Sequence, residues 1–159
     1  WPRHDHNIMP PAAKTVGNYV NSSLAKVEAL KAGYDEALML SPHGFIAECT
    51  GENVFVVRHD RIITPPTSAG ALEGITQSSI ATIARDNGIE MVAENLSRSD
   101  VYIAQEMFLS GTAAEISAVN SVDDRAIPCP GPITKKIAGI YADAVRGKVD
   151  KYRHWCELA

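Results

Sequence analysis

The segment NVFVVRHDRIIT, residues 53–64, restricts the fold more than any other part of this chain. Two short runs rich in Val, Ile and Phe flank Arg58, His59 and Asp60. The pattern predicts strands over 53–57 and 61–64 joined as a hairpin. Helical and strand-like segments lie on both sides of it without strict alternation. That argues for an α+β or irregular α/β domain rather than a doubly wound Rossmann sheet.

The flanking segments fill in this outline. Val16, Val20, Leu24, Val27 and Leu30 recur at intervals of three and four, which predicts a helix over 16–32 closed by Gly33. Short strands are expected over 36–41 and 45–48 around a Pro-His-Gly turn. The turn formers of PPTSAGALEG (65–74) predict a loop leading into a helix over 75–87. Ile75, Ile80, Ile83 and Ala84 form its inward face, and Gly88 lies at its end. Strands are expected over 89–95, 106–112 and 115–122, and Ser97 is the expected N-cap of a short helix over 97–104. A last helix over 131–146 presents Ile133, Ile137, Ile140, Tyr141 and Ala144 on one face.

Composition excludes several classes of function. With 159 residues the chain is long enough for one domain with a core. No apolar run approaches the ~20 residues of a membrane helix. The net charge is −4 and no basic patch carries interleaved aromatics, so neither membrane nor nucleic acid is an expected partner. Cys49, Cys129 and Cys156 are odd in number and form no CxxC pair, which predicts free thiols in a reducing cytoplasm. His4, Asp5 and His6 offer alternating donors, but in a proline-punctuated leading segment (1–13) we expect no metal site.

Four stretches could carry chemistry, and each alone is weak. Six of the seven lysines sit on charged or amphipathic stretches; Lys14, in PPAAKTVGNY, does not. A lysine in apolar surroundings loses its proton more readily, and a neutral amine can attack a carbonyl; a snorkelling lysine is the alternative. In LEGIT (72–76), Gly74 permits close backbone approach just before a helix, where free N–H groups favour an anion. Glu48, in AECTGEN, follows an apolar strand and could hold a heterocyclic N–H, or stand at an edge in solvent. Glu52 and Asn53 are expected to serve the turn after it. FLSGTAAE (108–115) ends a strand on a small, polar tip where Thr112 could face an anion or serve a turn.

In this order, KTVGNYVNS, AECTGENVFVV, IITPP, LEGITQSSI and FLSGTAAEISAV closely resemble the class IV (fold-type IV) pyridoxal-phosphate aminotransferases, and the branched-chain enzymes most closely. The resemblance covers about residues 9–146. It implies the C-terminal large domain of that fold, a mixed sheet or pseudo-barrel with flanking helices, spanning 14–159. It implies that Lys14 carries pyridoxal 5′-phosphate as a Schiff base and shuttles the proton during transfer. Tyr19 matches the tyrosine bonded to the cofactor's phenolic oxygen, Glu48 the glutamate on its pyridine nitrogen, and Leu72 a leucine on the ring face. Ile75 and Thr76 match the pair whose backbone N–H groups grip the phosphate. Thr112 adds a hydroxyl there, and the N–H groups of Thr112 and Ala113 belong to the substrate carboxylate site.

Three positions depart from the family pattern: Gln77 stands where arginine is common, AQE (104–106) replaces ADE, and Cys49 replaces a small or polar residue. The resemblance further implies a smaller N-terminal domain ahead of the lysine, so we expect this sequence to be a fragment of a longer enzyme. The implied activity moves the amino group of leucine, isoleucine or valine to 2-oxoglutarate, in a homodimer or higher homo-oligomer. D-amino acid aminotransferase and aminodeoxychorismate lyase, and a catalytically inert fragment, stay open as alternatives.

Overall fold

In the computed structural model, which describes residues 1–157, a 3-10 turn over Val16–Asn18 runs into α1 (Tyr19–Lys31). Next come β1 (Met39–Leu40), β2 (Ile46–Glu48), β3 (Asn53–Arg58), β4 (Arg61–Thr64), α2 (Ile75–Asp86) and β5 (Met91–Ala93). They are followed by α3 (Arg98–Tyr102), β6 (Glu106–Gly111), β7 (Glu115–Ala118), β8 (Ser121–Val122), β9 (Arg125–Ala126), α4 (Pro132–Ala144) and a 3-10 segment, Asp150–Trp155.

The β3–β4 hairpin forms as its sequence predicts. His59 and Asp60 both take positive φ, 52° and 60°, the geometry of a two-residue turn that matches strand twist. β3 then becomes the middle strand of a five-stranded sheet ordered β5-β4-β3-β6-β7. Every pairing is antiparallel except β4 with β5, which runs parallel across the α2 crossover. The sheet is therefore mixed, and the fold is α+β.

Side chains of β3 alternate between two apolar layers, because successive residues of a strand face opposite sides. Val54 and Val56 pack with Ile46, Cys49, Val101, Met107 and Leu109 on one face. Phe55 and Val57 pack on the other with Phe108, Ile80, Ile83, Ile137 and Tyr141, supplied by β6, α2 and α4. The rings of Phe55 and Phe108 stack with centroids 4.7 Å apart.

Several expectations need correction. The expected strand over 36–41 shortens to β1, and 89–95 to β5. The run 115–122 breaks into β7 and β8, because β8 turns back to pair with β9 through Asp123 and Asp124, both at positive φ. The helix over 16–32 begins as a 3-10 turn, and its apolar stripe does not face the core. Val16, Val20, Leu24, Val27 and Leu30 are 49–88% exposed, while Ser22 and Ala25 are buried. Ile75, expected inward, is 75% exposed, on a different side of α2 from buried Thr76, Ile80 and Ile83. Local signals fare better. Gly33 ends α1 at φ 89°, with Tyr34 N–H bonded to Ala29 C=O at 3.0 Å and Gly33 N–H to Leu30 C=O at 3.1 Å.

Candidate active site

Lys14 sits at the left-handed close of a single 3-10 turn (Pro11–Ala13), with φ 47° and ψ 37°. Left-handed backbone is uncommon outside glycine and often marks a functional position. The lysine is exposed, and so are its neighbours Ala12, Ala13, Thr15 and Val16, so the apolar enclosure expected from sequence is not made by the described residues. Tyr19, at the first position of α1, is exposed as well.

Glu48 is the buried counterpart, only 7% exposed at the end of β2. Its Oε1 accepts from Arg3 Nη1, and its Oε2 accepts from the Leu72 N–H at 2.7 Å. Burial pushes the Glu48 carboxyl above the usual carboxylate range. The Arg3 charge, the Leu72 N–H and the Lys14 charge pull the other way. Lys14 and Glu48 stand 34 positions apart in sequence.

Leu72 is held at both ends of its backbone. Its N–H goes to Glu48, and its carbonyl accepts from Asn53 Nδ2 at 2.8 Å. Asn53 also lies so close to Gly74 that a Cβ there would meet its Oδ1 at 2.2 Å. A larger residue at this N-cap of α2 would displace the Asn53 side chain that ties Leu72. In β6, Ser110 is the residue opposite Asn53, so the strand leading to Thr112 and Ala113 shares this neighbour. Thr112 and Ala113 are exposed in the β6–β7 turn.

The start of α2 has the donor set of an anion cradle. The Gly74 N–H is taken by Gln77 Oε1 at 3.3 Å, whereas the N–H groups of Ile75 and Thr76 have no acceptor among the described residues. The Thr76 hydroxyl lies 3.4 Å from the Tyr141 hydroxyl. These N–H groups and the helix dipole suit a phosphate, and a carboxylate 7% exposed beside Leu72 suits a ring N–H. The residues present thus fit a phosphorylated pyridine cofactor. A cavity of about 770 Å³ between α1 and the β7–β8 region is lined by Ala25, Leu38, Cys49, Met107 and Val119, and by none of these site residues.

The departures from the family pattern have structural uses. Gln77 donates to Thr64 Oγ1 at 3.3 Å while accepting from Gly74. Gln105 accepts the His59 N–H at 2.6 Å and so braces the hairpin turn. Cys49 is buried, which pushes its thiol well up. Glu52 and Asn53 do more than serve the turn. Asn53 ties the loop before α2. Glu52 lies beside Glu36, and burial together with that neighbouring carboxylate pushes the Glu52 carboxyl up.

Sequence reasoning missed Arg3. It stands 45 positions from Glu48, in the proline-punctuated leading segment. Only a search for a counter-ion to Glu48 would have pointed to it.

Residues 1–122 match the model of the amino-transferase class IV family. The chain is 44% identical to the probable branched-chain-amino-acid aminotransferase of Aquifex aeolicus over 98% of its own length and 51% of that protein. It superposes on the crystal structure of the branched-chain aminotransferase of Thermoproteus uzoniensis with norvaline at a TM-score of 0.95 and 45% identity, covering 98% of this chain and 52% of that one. The branched-chain amino acid aminotransferase of Thermobaculum terrenum, solved in its PLP-form, gives 0.94 and 42%, covering 98% of this chain and 52% of that one. The chain thus spans about half the length of the curated relatives it matches. A fold and an ordered set of motifs shared at this identity leave one conclusion: the chain belongs to the amino-transferase class IV family.

Proposed function

We propose that the intact protein is a branched-chain aminotransferase that uses pyridoxal phosphate at Lys14 to move the amino group of leucine, isoleucine or valine to 2-oxoglutarate. The observation that carries this reading is the tie of Glu48 to Leu72, close before the α2 start, with the Lys14 charge acting on the same carboxylate. The cofactor, when bound, supplies an electron sink for bond breaking at the substrate α-carbon. Lys14 would supply the amine that holds the cofactor and would move a proton at that carbon. Glu48 would accept the ring N–H, and Tyr19 would donate to the phenolic oxygen. Leu72 would lie against the ring. The N–H groups of Ile75 and Thr76 and the Thr112 hydroxyl bind phosphate, and the N–H groups of Thr112 and Ala113 orient the substrate carboxylate.

Turnover of L-leucine, D-alanine and aminodeoxychorismate by the full-length protein tests the assignment. L-leucine is the expected substrate, and Lys14→Ala abolishes its turnover. Turnover of either other substrate with none of L-leucine overturns the reading in favour of the corresponding enzyme.

A second reading concerns the 159-residue chain by itself. Lys14, Tyr19, Ile75, Thr112 and Ala113 are all exposed, so one side of the site is open. We infer that this chain alone does not turn over substrate. Transamination by the isolated chain contradicts that. The uncovered apolar stripe of α1 also supports a homo-oligomer, and three unpaired thiols among the described residues suit a cytoplasmic protein.

A further inference from the structure

We propose that Arg3 is a positioning residue for Glu48: its guanidinium keeps that carboxylate charged and fixed, ready for a ring N–H. The inference rests on the cofactor reading above. Its physical basis is the cost of a buried charge. A carboxylate out of water takes up a proton unless an opposite charge and hydrogen bonds compensate it. The side chains of Arg3 and Glu48 are 6% and 9% exposed, and Glu48 is the only carboxylate that pairs with Arg3 among the described residues. Apart from Arg3, the charged or titratable groups acting on Glu48 are Lys14, which is exposed, and the neighbouring Cys49, which is neutral while its thiol is pushed up. Arg3 is therefore the one buried permanent cation at this carboxylate.

The backbone aims Arg3. Its N–H donates to Leu40 C=O at 2.7 Å, Leu40 N–H donates to Trp1 C=O at 2.8 Å, and Pro2 bridges Leu40 in parallel. The leading segment is thus zipped along β1, whose partner β2 ends in Glu48. The register that seats Leu40 also seats the guanidinium. Arg3 and the Leu72 N–H use two of the roughly four acceptor positions of the carboxylate, which leaves others for an incoming N–H donor. A guanidinium stays ionised at any pH the protein meets, so it is suited to this task.

The experiment measures pyridoxal phosphate affinity of the full-length protein by equilibrium dialysis at pH 6 and pH 8. It compares wild type, Arg3→Met, Arg3→Lys, Glu48→Gln and the double variant Arg3→Met/Glu48→Gln. Arg3→Met is expected to weaken binding roughly tenfold or more at pH 6, the equivalent of one pKa unit, and less at pH 8, where a larger share of the carboxylate is ionised. Arg3→Lys restores most of the affinity. Arg3→Met adds no further loss to Glu48→Gln, because it acts through that carboxylate. Equal losses at both pH values, or additive losses in the double variant, overturn the proposal.

The ¹³C signal of the Glu48 carboxyl, assigned by its disappearance in Glu48→Gln, gives a second measurement that needs no cofactor. Its titration midpoint rises in Arg3→Met, and an unchanged midpoint overturns the proposal. If the wild type takes up no pyridoxal phosphate, the functional reading falls while this titration still decides the role of Arg3. Should Arg3→Met fail to fold, the double variant decides: removing both charges restores folding, and a double variant that also fails overturns the proposal.

Discussion

Two helices of thirteen residues each, α1 and α4, both place apolar residues at helical spacing, α4 the more strongly, and meet opposite fates. α4 buries Ile137, Tyr141 and Ala144 against the Phe55–Phe108 face of the sheet. Its N-terminus is clasped by Glu106 from β6, whose two oxygens accept the Ile133 and Thr134 N–H groups at 3.0 and 2.7 Å. A Cβ at Gly131 would fall 2.1 Å from that carboxyl carbon, so the clasp needs glycine there. α1 has no side-chain cap, and its stripe from Val20 to Leu30 points away from the core. Periodicity reports that a face is apolar; it does not report what covers it.

Substitutions can break this contrast. The largest effect is expected at Ile137, which is fully buried. Ile137→Ala should cost about 2–5 kcal/mol in urea unfolding. Leu24→Ala in α1 should cost under about 1 kcal/mol in the isolated chain, because Leu24 is 55% exposed. Equal losses at the two sites would mean that the α1 stripe is covered in solution. Next comes Glu106→Ala, which leaves two N–H groups of α4 without their acceptor and should cost about 1–3 kcal/mol.

A charged pair on α1, Val20→Glu with Leu24→Glu, sharpens the contrast from the other side. In the isolated chain it should cost less than about 1 kcal/mol. In the full-length protein, sedimentation should report a smaller species with helical content intact. Unchanged sedimentation would mean that this stripe holds no second copy.

The smallest effect belongs to α3, a helix capped locally rather than by a distant strand. Bonds from the Ser97 hydroxyl and N–H, with Arg58 nearby, hold the Asp100 carboxyl below the usual aspartate range. A carboxyl lowered in the folded state contributes above its unfolded value and loses that contribution as pH falls through the folded one. Asp100→Asn should therefore cost about 0.5 kcal/mol at neutral pH. The gap to wild type should close on acidification below about pH 4. Thermal melts across that range measure it.

Tyr34 and Leu30 show why some of the fold was legible in the sequence. The Gly33 cap between them is set by bonds spanning a few residues, and so are the His59–Asp60 turn and the Ser97 box. Such structure depends on local backbone preference, which residue identity encodes directly. The ordered motifs likewise pointed to the family, and to Lys14, Glu48 and the α2 start as its candidate site. Arg3 lay beyond reach because its meaning depends on Glu48, and Asn53 because its meaning depends on Leu72 and Gly74.

The sequence by itself determined the hairpin, the Gly33 and Ser97 caps, the mixed fold class and the family. Tertiary structure alone decided which apolar stripe is buried, where Asn53 and Arg3 reach, and which candidate residues stay exposed. Those outcomes come from groups brought together across 19–45 positions of chain, where burial and charge, rather than local backbone preference, decide the free energy.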